Sequence, residues 1–280
     1  MPITVSQLTV YPVKSMAGIS LSQAELTAAG IRYDRAWMVI DENRRFVTQR
    51  QHPEMALVSA VPEPSGLTLT IPGRGVLSVP LVGDDAGEGA VLSVTIWNDT
   101  VRAVDQGDFV AEELTQFLGR PVRLVYLSEQ DPRTLGASYP SPPGIRVGFA
   151  DSSPLHLVGE ASLADLNSHL ERPVPMDRFR PNIVVTGSVP FEEDHWTRLR
   201  IAGVTFIVVK DCIRCQMVNV DQKVGVKEID PLETLGTYRS GPTGIRFGRK
   251  VVHESPGWIK VGDPVDVLGA VDEGVPGEES

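Results

Sequence analysis

Short apolar runs rich in β-branched residues recur along the chain, and glycine or proline interrupts them about every ten residues. The sequence holds 26 Gly and 22 Pro among its 280 residues. β-branched and aromatic residues favour strands, whereas Gly and Pro favour turns. This spacing is typical of barrels and sandwiches rather than of doubly wound sheets. We therefore predict a β-rich α+β protein built from several small sheets or barrels with a few short helices.

The apolar runs predict where the strands lie. The opening run, residues 3–10, ends at Tyr11-Pro12, because proline has no backbone N–H to donate to a neighbouring strand. Residues 36–40 precede a turn-like Asp41-Glu42-Asn43, and residues 45–48 are predicted to return as the second strand of a hairpin. Further strands are predicted at residues 67–71, 92–97, 122–127, 183–186, 199–201 and 204–209.

Two segments have helical periodicity. In residues 109–118 the apolar side chains recur at helical spacing, with Asp108 as a candidate cap and Gly119 as a stop. Residues 160–170 repeat the pattern through Leu163, Leu166 and Leu170. Both are predicted to be scaffold helices.

Proline and glycine are concentrated in residues 119–150, which predicts a seam between two domains. We place the domains at residues 1–120 and 121–269. Residues 270–280 form an acidic tail containing Gly and Pro, which we predict to be disordered.

Charge and cysteine content exclude several classes of protein. The net charge is −10 and no basic block occurs, so a general nucleic-acid binder is disfavoured. No apolar run reaches the roughly 18 residues that a membrane-spanning helix needs. The N-terminus lacks the basic and apolar regions of a signal peptide, and two cysteines three residues apart cannot staple a secreted scaffold. We expect a soluble cytoplasmic protein.

Common cofactor motifs are missing. The sequence contains no phosphate-binding GxxxxGK[ST] loop, no GxGxxG after a strand, no HExxH and no GxSxG. The histidines are scattered without ligand spacing, and a structural zinc site needs about four Cys or His ligands. Zinc is therefore disfavoured.

The remaining candidate is the segment around Cys212-Ile213-Arg214-Cys215. A thioredoxin-type dithiol needs its CxxC at the start of a helix, whereas residues 217–220 are predicted to be a strand. Arg214 could favour a thiolate at Cys215, as a soft-metal ligand requires. Two cysteines packing as small apolar side chains remain an equal alternative.

Several basic side chains are placed in predicted turns instead of on helical faces. In an acidic protein such residues could hold a phosphorylated small molecule through charge-assisted bonds. Each of them taken singly is better explained as a solvated surface charge. Residue spacing does not show whether they converge. The residues are Lys14, Arg35, Arg50, Arg180 and Arg246.

Eight segments, in the same order over nearly the whole chain, resemble the MOSC family (molybdenum cofactor sulfurase C-terminal domain). Within that family the sequence is similar to the mitochondrial amidoxime-reducing components and to bacterial reductases of N-hydroxylated bases. The segments are YPVKS at 11–15, DRAWMVID at 34–41, FADSSP at 149–154, EASLADLN at 160–167, FRPNI at 179–183, CIRC at 212–215, PLETL at 231–235 and PGWIKVGD at 256–263.

The resemblance implies an N-terminal β-barrel-like domain followed by a MOSC β-barrel domain, with a molybdenum–molybdopterin cofactor between them. It implies that Cys215 is the molybdenum ligand and the catalytic residue. It also implies a set of cofactor-binding residues, to which Arg50 and Arg246 are weaker additions. The set consists of Lys14, Ser15, Arg35, Asp151, Ser152, Arg180, Asn182 and Arg214.

The function implied by the resemblance is reduction of small N-hydroxylated compounds, such as amidoximes and hydroxylaminopurines. No cysteine follows Cys215, so no built-in iron–sulfur cluster is expected, nor a haem or pyridoxal phosphate. Electrons are expected from a separate reductase, ferredoxin or haem protein. A non-catalytic carrier of molybdenum cofactor or sulfur is the main alternative, and a dithiol reductase using Cys212 and Cys215 is a third. The sequence does not indicate an oligomeric state.

Overall fold

The structure is a computed structural model that describes residues 2–83, 89–127, 132–135, 141–228 and 230–271. The acidic tail predicted at residues 270–280 lies, from residue 272 onward, outside the described residues. Parts of the predicted seam at 119–150 lie outside them too.

Strands dominate the described chain, and short helices lie between them. The α-helices are α1 (Asp108–Leu118), α2 (Glu160–His169) and α3 (Leu232–Tyr238). The strands are β1 (Thr4–Val10), β2 (Ile19–Leu21), β3 (Gln23–Thr27), β4 (Gly30–Ile31), β5 (Trp37–Asp41), β6 (Ser59–Glu63), β7 (Gly66–Ile71), β8 (Gly75–Pro80), β9 (Val91–Ile96), β10 (Asp99–Asp105), β11 (Val122–Leu127), β12 (Leu155–Gly159), β13 (Ile183–Thr186), β14 (Trp196–Ile201), β15 (Val204–Ile213), β16 (Ser240–Gly241), β17 (Gly244–His253), β18 (Gly257–Lys260) and β19 (Val265–Ala270).

The largest sheet joins the two halves of the chain. Its order is β19-β14-β15-β17-β12-β13-β1-β2, with β16 paired to β17. β1 pairs antiparallel with β13, and β12 runs parallel to β13. Its core contains Leu8 of β1, Ile183 of β13 and Phe206 of β15, all fully buried. The N-terminal strands β1 and β2 therefore share a core with strands from the second half.

Three smaller sheets complete the fold. Their orders are β5-β11-β10-β9, β18-β3-β4 and β6-β7-β8. Helix α1 buries Val110, Leu114 and Leu118 in the core that also holds Trp37. The β-rich α+β class predicted from the sequence is thus confirmed.

Most predicted strands are present, and the bounds 122–127 and 183–186 agree with the structure. The predicted strand at 204–209 continues to Ile213, because its pairing with β17 extends past a bulge to Ile213 opposite Arg246. Residues 45–48 form only isolated bridges, such as Ile40 with Phe46, instead of a full hairpin strand.

The strand predicted at residues 217–220 is wrong. Gln216–Asn219 is a 3-10 turn, closed by hydrogen bonds from Val218 N to Cys215 O and from Val220 N to Met217 O. Val218 packs into a core cluster beneath the turn, so the chain turns inward directly after Cys215.

The two predicted helices are present. Helix α1 ends at Gly119, whose φ of 66° is the left-handed conformation expected of a helix stop. The prediction of Asp108 as the cap is wrong. Gly107 occupies the cap position, and the Asp108 carboxylate instead accepts a bond from Arg123 Nη2 at 2.7 Å. Helix α3 was not predicted. No helix in the described part of the chain has the length and apolarity that crossing a membrane would require.

The topology brings chain segments from both halves to one edge of the large sheet. Because β1 and β13 are antiparallel, the residues after β1 lie beside those before β13. The start of β12 lies at the same edge, since β12 is parallel to β13. This edge therefore holds the segments 11–15, 151–156 and 180–182.

Candidate functional site

A single cavity at this edge brings together all nine residues that the sequence nominated. Arg50 also lines the cavity, whereas Arg246 is not among its lining residues. The nine are Lys14, Ser15, Arg35, Asp151, Ser152, Arg180, Asn182, Arg214 and Cys215.

Cys215 is exposed at this cavity, directly before the 3-10 turn. The Nη1 atom of Arg50 lies 3.9 Å from Cys215 Sγ and 3.7 Å from Met217 Sδ. The thiol is thus accessible and faces a guanidinium that comes from the N-terminal half. This is the setting in which a thiolate can serve as a metal ligand.

Cys212 differs from Cys215 because it is buried. Arg214 Nη1 lies 2.8 Å from Cys212 Sγ, and Arg214 Nη2 donates to Phe179 O at 2.9 Å. Burial alone would raise the pKa of the Cys212 thiol, but the charges of Arg214, His156 and Lys250 hold that pKa well below its usual value. Cys212 therefore fixes Arg214 at the cavity wall from within the protein.

Lys14 and Asp151 form an ion pair at the cavity. The Lys14 ammonium also donates to Phe149 O at 2.9 Å. Burial lowers the pKa of Lys14, and the Asp151 charge opposes that shift. Burial would raise the pKa of Asp151, but Lys14 holds it below the ordinary range. The indole Nε1 of Trp97 donates a further bond to Asp151 at 3.1 Å.

Two guanidinium groups lie against the ring of Tyr11. The Arg35 and Arg180 guanidinium carbons are 4.3 Å and 4.2 Å from the ring centroid. Burial, with the nearby charge of Arg35, lowers the pKa of Arg180 to about 10. The buried Nη2 of Arg180 has no hydrogen-bond partner among the described residues. An anion bound here would supply both the missing acceptor and the missing negative charge.

Asn182 is fully engaged within the protein. Its Nδ2 donates to Thr9 O at 3.1 Å and to Asp34 Oδ1 at 3.0 Å. Its Oδ1 accepts from Arg35 Nη1 at 3.0 Å and from His156 N at 3.2 Å. Asn182 therefore contributes to the cavity by positioning Arg35.

Three of the nominated residues have backbone conformations that favour glycine. The φ values are 66° at Ser15, 49° at Arg35 and 52° at Arg180. Each such conformation costs a non-glycine residue on the order of 1–2 kcal/mol. Unfavourable backbone of this kind is common where side chains are held in place for binding.

The sequence did not reveal four further basic residues that line the cavity, which are His156, Arg178, Lys210 and Lys250. His156 lies opposite Lys250 in the β12–β17 ladder, and Lys250 lies opposite Lys210 in the β17–β15 ladder. Like charges placed directly opposite each other destabilise a sheet unless a counter-charge is near. Only the position of Lys210 just before the CIRC segment hinted at this row, because the rest depends on strand register.

The donor set fits an anionic, phosphate-bearing cofactor. The cavity offers ammonium and guanidinium donors, and the buried Nη2 of Arg180 and Nε of Arg214 have no hydrogen-bond partner among the described residues. Within the described ranges, no group of three or more His, Cys, Asp or Glu side chains is placed to hold a metal ion. A metal bound to Cys215 would therefore need further ligands from the cofactor itself, which a molybdopterin dithiolene provides.

Comparison with known proteins gives two family matches that together cover most of the chain. Residues 2–121 match the MOSC N-terminal beta barrel domain, and residues 144–266 match the MOSC domain. The chain is 38% identical to mitochondrial amidoxime-reducing component 1 of Homo sapiens, over 95% of this chain and 83% of that protein. It is 36% identical to mitochondrial amidoxime reducing component 2 of Rattus norvegicus, over 94% of this chain and 82% of that protein.

Among solved structures, the YUAD protein from Bacillus subtilis aligns over 95% of this chain and 94% of its own. The TM-score is 0.41 and the sequence identity is 11%.

Proposed function

We propose that this chain, which belongs to the MOSC family and has a MOSC N-terminal beta barrel domain before its MOSC domain, is a molybdenum cofactor-dependent reductase of N-hydroxylated compounds. The observation that carries the proposal is the cavity in which an exposed thiol, Cys215, lies beside buried cations with unpartnered N–H groups. The names of the relatives, amidoxime-reducing components, support the choice of substrate class.

The residues of the cavity divide between metal and pterin. Cys215 would bind the molybdenum through its thiolate, since soft thiolate ligands suit such metals. Lys14, Arg35, Arg180 and Arg214 would bind the phosphate and polar edges of the pterin through charge-assisted hydrogen bonds. Ser15, Asp151, Ser152 and Asn182 line the same cavity, where Asp151 and Asn182 position Lys14 and Arg35.

When bound, a molybdenum cofactor supplies the two-electron chemistry that converts an N–OH group and two protons into an N–H group and water. The protein supplies the electrostatics. The Arg50 guanidinium lies 3.9 Å from Cys215 Sγ and adds positive charge beside that ligand. Lys250 and Lys210, opposite each other on neighbouring strands, add positive charge that would stabilise the anionic cofactor.

The electrons would come from a separate protein. An iron–sulfur cluster is usually held by about four cysteines, and this chain has two, one of them buried against Arg214. A reductase, ferredoxin or haem protein would reach the cofactor through the mouth at which Cys215 is exposed.

The experiment is a benzamidoxime reduction assay with reduced methyl viologen as donor, on protein expressed in a host that makes molybdenum cofactor. We expect benzamidine to form over many turnovers and Cys215→Ala to lower the rate at least a hundredfold, because the metal loses its protein ligand. Cys212→Ala, the matched control, should keep much of the activity. Protein that contains molybdenum and pterin but gives no turnover would favour a cofactor carrier and contradict the proposal.

A further inference from the structure

Trp97 is placed where neither core packing nor backbone preference calls for a tryptophan. It lies in the two-residue turn between β9 and β10, which begins after Ile96 and ends before Asp99. Its φ is 54°, a conformation that hairpin turns usually give to glycine. The side chain is 43% exposed. An exposed tryptophan in an unfavourable backbone conformation points to a role outside the core.

Trp97 does not itself line the cavity, but it contacts two residues that do, Asp151 and Arg50. Its Nε1 donates to Asp151. The guanidinium carbon of Arg50 lies over the Trp97 ring, 4.8 Å from the ring centroid. Phe46 packs against it with ring centroids 5.1 Å apart and planes inclined by 51°. Arg50 in turn reaches to 3.9 Å from Cys215 Sγ. Trp97 is thus held two contacts away from the thiol and still presents nearly half of its surface to solvent.

We infer that the exposed indole of Trp97, together with the Arg50 guanidinium, forms a stacking subsite that selects planar aromatic N-hydroxylated substrates over aliphatic ones. This inference rests on the proposed function, since it concerns the entrance to the same site. It adds a residue that the MOSC resemblance did not nominate.

The chemistry of the two groups favours a flat ligand. An indole stacks on aromatic rings in offset or tilted geometry, and a guanidinium stacks on the same faces. An aliphatic amidoxime offers no π face and would gain only from the area it buries. Because Asp151 fixes the indole by its Nε1, the ring is already oriented before a ligand arrives. Preorganisation of this kind reduces the ordering cost of binding.

The test compares two substrates on the cofactor-loaded protein. We expect Trp97→Leu to lower the ratio of kcat/KM for benzamidoxime to kcat/KM for acetamidoxime by about three- to tenfold, the range that aromatic pair energies correspond to. Trp258→Leu is the matched control, because Trp258 is 57% exposed on β18 and pairs there with Glu25 of β3, which does not line the cavity. Trp97→Gly serves as a second variant, since glycine suits the positive φ and protects folding of the turn.

Calorimetric titration with benzamidoxime and acetamidoxime keeps this inference separate from the proposed function. A wild-type protein that reduces neither substrate contradicts the proposed function, while weaker binding of benzamidoxime alone by Trp97→Leu and Trp97→Gly still supports the subsite. An unchanged substrate ratio together with unchanged benzamidoxime affinity in both Trp97 variants would overturn it. An equal loss for both substrates, or the same shift in Trp258→Leu, would also overturn it.

Discussion

At the scale of single residues, the cavity is built at the expense of folding stability. Arg35 and Arg180 lie against the same Tyr11 ring, so two like charges are brought together in a buried place. Burial lowers the pKa of Arg180 to about 10, and its Nη2 has no hydrogen-bond partner in the described part of the chain. A bound anion would remove that cost, which links cofactor binding to stability.

We therefore expect Arg180→Met to weaken cofactor retention about tenfold or more, the effect of losing charge-assisted hydrogen bonds. The free energy of unfolding of the cofactor-free variant should fall by no more than about 1 kcal/mol, because an uncompensated buried charge is removed with the side chain. Pterin content after gel filtration and denaturant unfolding of the cofactor-free protein measure the two quantities.

Arg200→Met is the control for this comparison, since Arg200 forms an exposed ion pair with Asp266 on the far strands of the sheet. It should leave pterin content unchanged. Wild-type pterin content in Arg180→Met would remove Arg180 from the cofactor site.

The residues that could be nominated from the sequence were those in motifs. Each of these residues belongs to a segment that resembles the MOSC family, and the structure brings them to one cavity. They include Lys14, Ser15, Arg35, Arg180 and Cys215. Their roles toward the cofactor stay predictions. Lys210 and Lys250 could not be predicted as cavity residues, because they meet only through the pairing of β15 with β17. No local sequence pattern encodes the register of that pairing.

At the scale of elements, local sequence patterns predicted the strands that have continuous apolar runs. They failed for segments whose conformation is set by tertiary packing. Residues 217–220 contain enough apolar side chains for a strand, but Val218 is drawn into the cluster with Phe179 and Phe247 and the segment closes as a 3-10 turn. Helix α3 was not predicted for a related reason. Only Leu235 of its seven residues is buried, so its apolar stripe is short.

Glu193, in the 3-10 turn Glu192–Asp194, has a buried carboxyl group that contacts the first turn of α2. Its Oε1 accepts from Gly159 N at 3.0 Å, and both its oxygens lie 2.8 Å from Ser162 Oγ. Burial raises the pKa of Glu193, although the bonds from Gly159 and Ser162 oppose that shift. The folded state therefore binds a proton more readily than the unfolded state does.

The sign of the pH effect follows from this raised pKa. Stability contributed by Glu193 is fully present below the unfolded pKa of about 4.3 and is lost as pH rises through the raised folded value. We expect the free energy of unfolding of wild type to fall, relative to Glu193→Gln, as pH increases from about 4.5 toward 7. Urea unfolding at several pH values measures the difference.

The matched control for this prediction is Glu171→Gln, because Glu171 is exposed just after α2. It should run parallel to wild type across the range. A constant difference between wild type and Glu193→Gln at all pH values would contradict the raised pKa of Glu193.

At the scale of the whole molecule, the cavity exists only where the two halves of the chain meet. Lys14, Ser15 and Arg35 come from the first half, whereas Arg180 and Cys215 come from the second. Strand β1 also completes the large sheet beside β13. The domain boundary predicted at residue 120 therefore separates two sets of proposed cofactor-binding residues, while the large sheet contains strands from both sides of it.

We expect the separately expressed segment 121–280 to be poorly soluble and to retain no pterin, because it lacks β1 against β13 and the first set of cations. Co-expression of segments 1–120 and 121–280 should restore part of the pterin content if the halves reassociate. Gel filtration followed by fluorescence of the oxidised pterin measures this. Full pterin content in segment 121–280 alone would contradict a site shared by both halves.

The whole chain is acidic, with a net charge of −10, while the cavity is lined with lysines and arginines. Composition alone disfavoured a general nucleic-acid binder, but it could not show that a minority of basic residues converges. That convergence depends on the topology of the large sheet, which places three distant segments at one edge.

If Cys215 binds molybdenum in this cavity, the molybdenum-to-protein ratio of the purified protein depends on that thiol. Protein from a cofactor-competent host, measured by plasma mass spectrometry, should approach one molybdenum per chain for wild type. It should fall to near zero for Cys215→Ala and stay substantial for Cys212→Ala. Equal molybdenum content in wild type and Cys215→Ala, or no molybdenum in any of the three proteins, would contradict the assignment of Cys215 as the molybdenum ligand.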